Sequence, residues 1–398
     1  MPSFKSGIFT PATRLLQLMP IASKFFLILL VFIIPLGYLS LNSVEDKQQQ
    51  VDFYTTQRSG LDMVHSAYLV LPKLMQLRDA EYAAEFGYID ERIDVSQTVS
   101  EIESALEGLI GNGSVTTQQQ LAEVSRLWQQ SQQNRDNALS RHNHYSMITL
   151  TMRQYLLRLA EDYDILLGRD LHAYQLSHIN IDSMLYTLDL VSGLRGLGAG
   201  VISRGNFTPD SFIKMSYYAG ELEKTLTTVE RAYKASDASQ MEDSMLYKNA
   251  QQVLTNSRNF LRVTHLQVID PDSFTLTARN YYQQATRALT ELQSLHDQTG
   301  TALKHRVDEN ITKQKWQKNE IIFISALITL LMLYLFAGFY YAMKQGIHQI
   351  NTTLAAIAKG DFSQRAEACG RDEIRQIADN LNNTADQINK LVKIAYSK

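Results

Sequence analysis

Two arginines stand at positions where the surrounding pattern favours apolar side chains. In two segments, apolar residues recur at alternating spacings of three and four, and Arg78 and Arg195 occupy the next place in each series. Because an unpaired buried guanidinium is costly, we expect each arginine to meet an anion. The residues that define the two seams are Leu61, Val64, Tyr68, Leu71 and Met75 before Arg78, and Ile181, Leu185, Leu188 and Ser192 before Arg195.

Two kinds of anion would satisfy these arginines. The first is the carboxylate or other acidic group of a small molecule, bound in a pocket between helices. The second is a carboxylate of the chain itself, held in a structural ion pair. The sequence leaves both alternatives open, and the candidate partners within the chain are Asp79, Glu85, Asp182 and Asp189.

The elements that position these arginines are predicted to be helices. Only three prolines, Pro72, Pro209 and Pro271, occur between residues 45 and 320, and Gln, Leu, Ala, Glu, Arg and Ser predominate there. Such a composition favours helix, and seams of this spacing pack helix against helix. We therefore predict an all-α domain of about six helices arranged as two stacked bundle modules, with one elongated four-helix bundle as the alternative.

Clusters of Gly, Pro, Asn and Asp divide this domain into its helices. Thr208 or Asp210 is suited to begin one helix, and Asp272 or Ser273 another, because such side chains accept hydrogen bonds from first-turn amides. The five predicted breaks fall at residues 87–94, 111–113, 168–170, 205–210 and 270–272.

Two uncharged apolar runs, residues 25–44 and 321–343, frame the helical domain. Each has the length of about 20 residues that crosses a membrane as a helix. The first run is longer than the apolar core of a signal peptide and no typical cleavage site follows, so we predict an uncleaved anchor. Lys5, Arg14 and Lys24 precede it and favour a cytoplasmic N-terminus.

Composition argues against several other functions. The one cysteine, Cys369, lies in the tail, so the domain between the apolar runs has no disulfide. The nine histidines show no metal-binding spacing, and there is no phosphate-binding loop or nucleophile motif. No segment is basic enough to indicate nucleic-acid binding. We expect a protein that is not an enzyme, without cofactor, metal or nucleic-acid partner.

The segment after the second apolar run predicts two short helices. Gly360 and Asp361, followed by Phe362, end the first helix, and Asp372 and Glu373 open the second, where negative charge favours the N-terminal dipole. Neither helix can bury its seam alone, so we expect a homodimer. The seams consist of Ile347, Ile350, Leu354 and Ile357 in the first helix, and Ile374, Ile377, Leu381, Ile388 and Leu391 in the second.

This arrangement resembles a HAMP linker, in which a helix, a Gly-Asp-hydrophobic turn, an extended connector and a second helix follow a membrane span. The second helix here begins Asp-Glu-Ile and contains Leu381-Asn382. HAMP linkers often carry a proline early in the first helix, where this chain has Gly346. The resemblance assigns signal relay to Gly360, Asp361, Asp372 and Glu373.

Three further segments resemble bacterial methyl-accepting chemotaxis receptors and related transmembrane sensors. They are Tyr-Leu-Phe-Ala-Gly-Phe-Tyr at residues 334–340, Leu-Arg-Gly-Leu-Gly-Ala at residues 194–199, and Asp170, Tyr174 and Leu176, which match part of an Asp-x-x-x-Tyr-x-Leu pattern. The resemblance adds Asp170 and Tyr174 to Arg78 and Arg195 as candidate ligand-binding residues. The methylatable coiled-coil hairpin of chemoreceptors is missing here, so we expect a sensor without that signalling domain.

The resemblance implies chemoreceptor-type signal transduction in a bacterial inner membrane, with both termini cytoplasmic. A small, anionic periplasmic ligand would be sensed and the signal relayed to a cytoplasmic partner; other expected partners are membrane lipid and a second copy of the chain. The alternatives are a membrane-anchored scaffold or adaptor, and the sensor half of a histidine kinase or diguanylate cyclase.

The predicted domains are residues 1–24, cytoplasmic; 25–44, transmembrane; 45–320, periplasmic sensor; 321–343, transmembrane; and 344–398, HAMP linker.

Overall fold

The computed structural model describes residues 10–133, 137–168, 170–237, 244–271, 273–367 and 373–396. Of these described residues 87% are helical and none lies in a strand, so the predicted all-α fold is confirmed. In chain order the helices and two π-helical turns are α1 (Thr10–Gln17), α2 (Ile21–Tyr68), α3 (Val70–Glu85), α4 (Val95–Gly108), α5 (Val115–Gln133), α6 (Ala138–Asp162), α7 (Leu171–His178), π1 (Ile179–Ser183), α8 (Met184–Arg204), α9 (Pro209–Asp237), α10 (Ser244–Thr264), π2 (His265–Ile269), α11 (Ala278–Ala358) and α12 (Glu373–Tyr396).

Residues Gln49–Gln314 form one compact unit with a large apolar core. Within it α3 packs against α4, α6 and α8, α5 packs along α6, and α9 lies against α8 and α10. The two seams that the sequence predicts are buried in this core, with Leu71 and Leu188 almost completely inaccessible. Helix spacing alone thus identified the residues that hold this unit together.

Polar side chains cap several helices at the predicted breaks. Asp94 accepts from the amide of Gln97 at 3.0 Å to begin α4, and Thr208 Oγ1 accepts from the amide of Ser211 at 3.2 Å to begin α9. Each contact satisfies a first-turn amide that has no partner within its own helix. The prediction that Thr208 or Asp210 opens a helix is therefore confirmed.

The predicted helix start at Asp272 or Ser273 is wrong. Helix α11 begins at Ala278, where Thr277 Oγ1 accepts from a first-turn amide at 3.2 Å; Asp272 lies outside the described residues. Residues 273–277 are not helical, and Phe274 among them packs, partly buried, against the core. This contact with the core competes with the local capping signal.

The described residues up to Gln48 and from Lys315 onward form a second unit. Helices α2 and α11 are both long and apolar enough to cross a membrane, and the described part of the protein does not bury their apolar segments. Phe26 and Leu330, for example, are more than half exposed. Within this unit Ser40 Oγ donates to Ser325 Oγ at 2.9 Å, and the rings of Phe25 and Phe339 meet edge to face.

Candidate functional site

Arg78 on α3 and Arg195 on α8 meet at a single carboxylate, that of Asp79. Arg78 Nε donates to Asp79 Oδ1 at 3.1 Å, while Arg195 Nη2 and Nε donate to Asp79 Oδ2 at 2.9 and 3.1 Å. Ser192 also donates its hydroxyl to Asp79. Complete burial raises the pKa of Asp79, and the two guanidiniums and the hydroxyl act in the opposite direction.

A close approach of α3 and α8 makes this geometry possible. Gly196 follows Arg195, and a Cβ built at Gly196 would lie 2.7 Å from Asp79 Cα. Any larger residue would separate the two helices, because an atom that close to backbone cannot be accommodated by a rotamer change. Gly196 therefore sets the distance at which one carboxylate can bridge both arginines.

A second carboxylate, Asp189, holds the other end of Arg78. Arg78 Nη1 donates to Asp189 Oδ1 at 2.7 Å, and Arg153 Nη1 lies 3.7 Å from Asp189 Oδ2. Although burial disfavours the charge, Asp189 and Asp79 raise the pKa of Arg78 above its ordinary value. The side chain of Asp189 retains 15% of its exposure, whereas that of Arg78 has none. Asp189 thus marks the side on which this network approaches solvent.

Lys214 on α9 adds a further positive charge near Asp189. Its Nζ donates to Asn143 Oδ1 and lies 5.6 Å from the centre of the Tyr218 ring, and neither group is charged. Burial, with Arg78 nearby, lowers the pKa of Lys214 to about 8. We call Arg78, Asp79, Arg153, Asp189, Arg195 and Lys214 the arginine cluster; its four cationic side chains face two carboxylates.

Two buried polar atoms beside the arginine cluster have no hydrogen-bond partner among the described residues. They are His142 Nε2 and the hydroxyl of Tyr282. The Arg195 guanidinium lies 4.9 Å from the centre of the Tyr282 ring, and the His142 ring meets that of Tyr82 edge to face. Buried polar atoms normally find a partner, so these two are available to a water molecule or a ligand.

The expectation that each seam arginine meets an anion is fulfilled by Asp79 and Asp189, two of the four acids considered. A ligand-binding role for Arg78 and Arg195 stays a prediction. The sequence did not identify Arg153 and Lys214, since each lies beside the apolar seam of its helix, and only tertiary packing brings them near Asp189. The sequence signal for Lys214 is weak: it directly precedes Met215, which is buried.

Asp170 and Tyr174, the other two candidate ligand-binding residues, are not part of the arginine cluster. Asp170 caps α7 by accepting from the amide of His172, and its Oδ2 also accepts from Arg306 Nε at 2.7 Å. Partial burial opposes the change, but the hydrogen bonds from Arg306 and Asn310 lower the pKa of Asp170. Tyr174 is 40% exposed and lies edge to face with a histidine. Neither residue contacts Arg78 or Arg195 in the described structure.

The predicted relay turn ends α11. Gly360 has φ +90°, a left-handed conformation that glycine adopts without strain, and the amide of Asp361 donates back to Ala356 O at 3.0 Å. Hydrogen bonds from the hydroxyl and amide of Ser363 lower the pKa of Asp361. Glu373 is the first residue of α12, and Asp372 lies outside the described residues.

Helices α11 and α12 approach each other closely in the tail. A Cβ at Gly346 would lie 2.6 Å from Ile374 Cγ2, so the glycine that replaces the usual proline makes room for the second helix. In the connector, the Asn382 side chain accepts from the amide of Ala366 at 2.9 Å and donates to its carbonyl at 3.0 Å. This pair of hydrogen bonds fixes the connector against α12.

Acidification should destabilise the protein through His142. Burial, reinforced by the positive charges of Arg78 and Lys214, holds the pKa of His142 well below its ordinary value. Below about pH 6.5 the unfolded chain binds a proton that the folded chain does not, so stability falls as the pH decreases, by at most about 1.4 kcal/mol per pH unit. Urea unfolding of the parent and of His142→Phe between about pH 7 and 5 checks this. Identical pH slopes in the two proteins would contradict it.

The family model of the HAMP domain matches residues 339–390. No curated protein matches the chain. A solved structure described as the NasR transcription antiterminator is similar with a TM-score of 0.46 and 15% identity, over 88% of this chain and 96% of that one. The HAMP domain and the two apolar helices together indicate a HAMP-containing protein of transmembrane signal transduction.

Proposed function

We propose that this chain senses a small anionic ligand outside the cytoplasm and relays its binding across the membrane as a chemoreceptor-type transducer. The observation that carries the proposal is the position of the HAMP match, which begins within the second apolar run of α11 and continues into α12. The same helix, Ala278–Ala358, begins within the compact unit Gln49–Gln314, which is the proposed sensor. In this proposal the chain acts by binding, not by catalysis.

The arginine cluster is the proposed ligand site. Its four cations exceed its two carboxylates, which favours an additional anion. The ligand would approach on the side of Asp189, where Arg153 and Lys214 are only partly buried. A ligand carboxylate placed there would compete with Asp189 for Arg78 and would meet Lys214, whose present partners are uncharged.

The tail is the proposed transmitter, acting as a homodimer. Apolar side chains of both tail helices remain largely exposed, among them Leu354, Ile377 and Leu391. A second copy of the chain would cover them in a four-helix arrangement with two packing states of similar energy. Such a transmitter is equally compatible with the output of a chemoreceptor and with the catalytic part of a histidine kinase or diguanylate cyclase.

A thermal-shift screen of the full chain in lipid nanodiscs tests this function. A panel of organic acids and amino acids is expected to contain members that raise the unfolding temperature, since a ligand at about 100 times its Kd stabilises by about 2.7 kcal/mol. Lys214→Met should reduce that shift by at least half without unfolding the protein. The matched control is Lys224→Met on the same helix, where the lysine side chain is 75% exposed and should not matter.

Two outcomes of the screen oppose the proposal. If no acid stabilises the parent, the anion-sensing function is wrong, and a scaffold or adaptor role is favoured. If an acid stabilises the parent and Lys214→Met equally, the chain is a sensor but the arginine cluster is not its site.

A further inference from the structure

A cavity separate from the arginine cluster lies between α2, π1 and α11. Its volume is about 320 Å³, at the lower end of the range for small-molecule sites. Leu61 and Val64 of α2 and Leu185 of α8 supply apolar surface, and polar groups approach from α2, π1 and α11. A space of this size with a partly polar lining would hold about ten water molecules when no ligand is present.

One wall of the cavity is a pair of stacked rings. The rings of Tyr68 and His296 have centroids 4.0 Å apart and planes inclined by 29°. Both residues are almost completely buried, and burial lowers the pKa of His296, so its ring is uncharged near neutral pH. Burial and the nearby Asp297 carboxylate raise the pKa of Tyr68, so its hydroxyl keeps its proton. Because the two rings stack on each other, the pair offers the cavity apolar ring edges and at most one outer ring face.

Among the described residues of the lining, Lys304 is the single lysine or arginine. Its Nζ lies 2.8 Å from Asp62 Oδ1, and the Asp62 side chain is 57% exposed. An ion pair in solvent contributes only about 0–1 kcal/mol, so a ligand carboxylate can replace Asp62 at little cost. Asp297, the acid of the lining, is equally exposed and is turned toward solvent beside His296.

The local backbone around the cavity is unusual in two places. The π1 turn joins α7 to α8, and the side chain of Asn180 within it donates to His296 O at 2.7 Å. Single π-helical turns between α-helical segments occur frequently at functional sites. Opposite, Gly300 lies in the interior of α11, where glycine costs about 1 kcal/mol relative to alanine. A Cβ at Gly300 would be in ordinary contact with the Asn180 side chain, at 3.5 Å, so a methyl group fits there.

We propose that this cavity binds a small monocarboxylate with a flat apolar body, its body against Tyr68 and His296 and its carboxylate on Lys304. The absence of a side chain at Gly300 keeps the space open for it. The walls come from α2 and α11, the helices that also contain the two apolar runs. The occupant would therefore act on those helices directly, as an input independent of the arginine cluster.

Benzoate is the probe, and benzamide is its uncharged counterpart of the same shape. Binding to the full chain in nanodiscs is measured by isothermal titration calorimetry, and benzoate is expected to bind saturably with Kd near 1 mM or tighter. Gly300→Leu, which fills the cavity with a good helix former, should weaken benzoate at least about tenfold. Gly300→Ala, which adds one methyl group in ordinary contact, should change the affinity by less than about threefold.

Three further variants locate the carboxylate. Lys304→Met should weaken benzoate about tenfold while leaving benzamide unchanged, and Asp62→Ala should strengthen benzoate because it removes the competing carboxylate. Lys214→Met should leave benzoate binding unaltered, which separates this site from the arginine cluster. Absence of saturable benzoate binding, or binding that Gly300→Leu leaves intact, would overturn the proposal.

Discussion

Replacing Asp79 with alanine should lower the free energy of unfolding by about 3–5 kcal/mol. Asp79 is the acceptor for Arg78, Arg195 and Ser192, and its side chain is completely buried. Without it Arg195 would lose its carboxylate, while Arg78 would keep only Asp189. Removing one member of a buried ion network leaves uncompensated charge in a place that water does not reach, and that is the source of the loss.

Asp62→Ala is the matched control for Asp79→Ala. Asp62 also bridges two cations, since its carboxylate lies 2.5 Å from Arg58 Nη1 and 2.8 Å from Lys304 Nζ, but it does so in solvent. We expect a change of at most about 1 kcal/mol there. Urea unfolding of the full chain in nanodiscs, followed by fluorescence of the buried Trp128 in a Trp316→Phe background, compares the two variants.

Equal stabilities of the Asp79→Ala and Asp62→Ala proteins would contradict a structural role for the buried network. The isosteric Asp79→Asn separates charge from volume. If the carboxylate charge matters, this variant loses most of the same stability although it leaves no cavity. A parent-like Asp79→Asn protein would show that Asp79 is dispensable as an ion and would strengthen the case for a ligand anion at Arg78 and Arg195.

Periodicity predicted much of this structure because the fold is built from long helices. The seams through Leu71 and Leu188 are core, and the breaks near Asp94 and Thr208 are real because each combines a polar cap with a loss of apolar spacing. The start of α11 was misplaced: the helix begins at Ala278, after a connection from which the partly buried Phe274 packs against the core. Local capping signals cannot register such a long-range contact.

The candidate site was only partly predictable, because it too depends on contacts between segments far apart in the chain. An arginine inside an apolar seam is visible in sequence, and so Arg78 and Arg195 were identified together with a few candidate acids. That one carboxylate, Asp79, serves both arginines depends on the distance between α3 and α8, which no single segment encodes. The cavity beside His296 was invisible, because its walls come from three segments far apart in the chain, one of which contains the π1 turn.

Gly196 controls that inter-helix distance, and replacing it by alanine should cost about 1–3 kcal/mol or more. The new methyl group would lie 2.7 Å from Asp79 Cα and 2.9 Å from its Cβ, so α3 and α8 must move apart. The separation would lengthen the hydrogen bonds between Arg195 and Asp79 as well. Packing and the ion network are thus weakened by the same substitution.

Gly220→Ala should have the opposite sign. Gly220 lies in the interior of α9 and is exposed, and a methyl group added there would meet no atom within 4 Å. Alanine should therefore gain about 0.5–1 kcal/mol from helix propensity alone. Unfolding in urea, as for Asp79, should place the two alanine variants on either side of the parent. If Gly196→Ala were instead as stable as Gly220→Ala, the close approach of α3 and α8 would not be what positions Asp79 between the arginines.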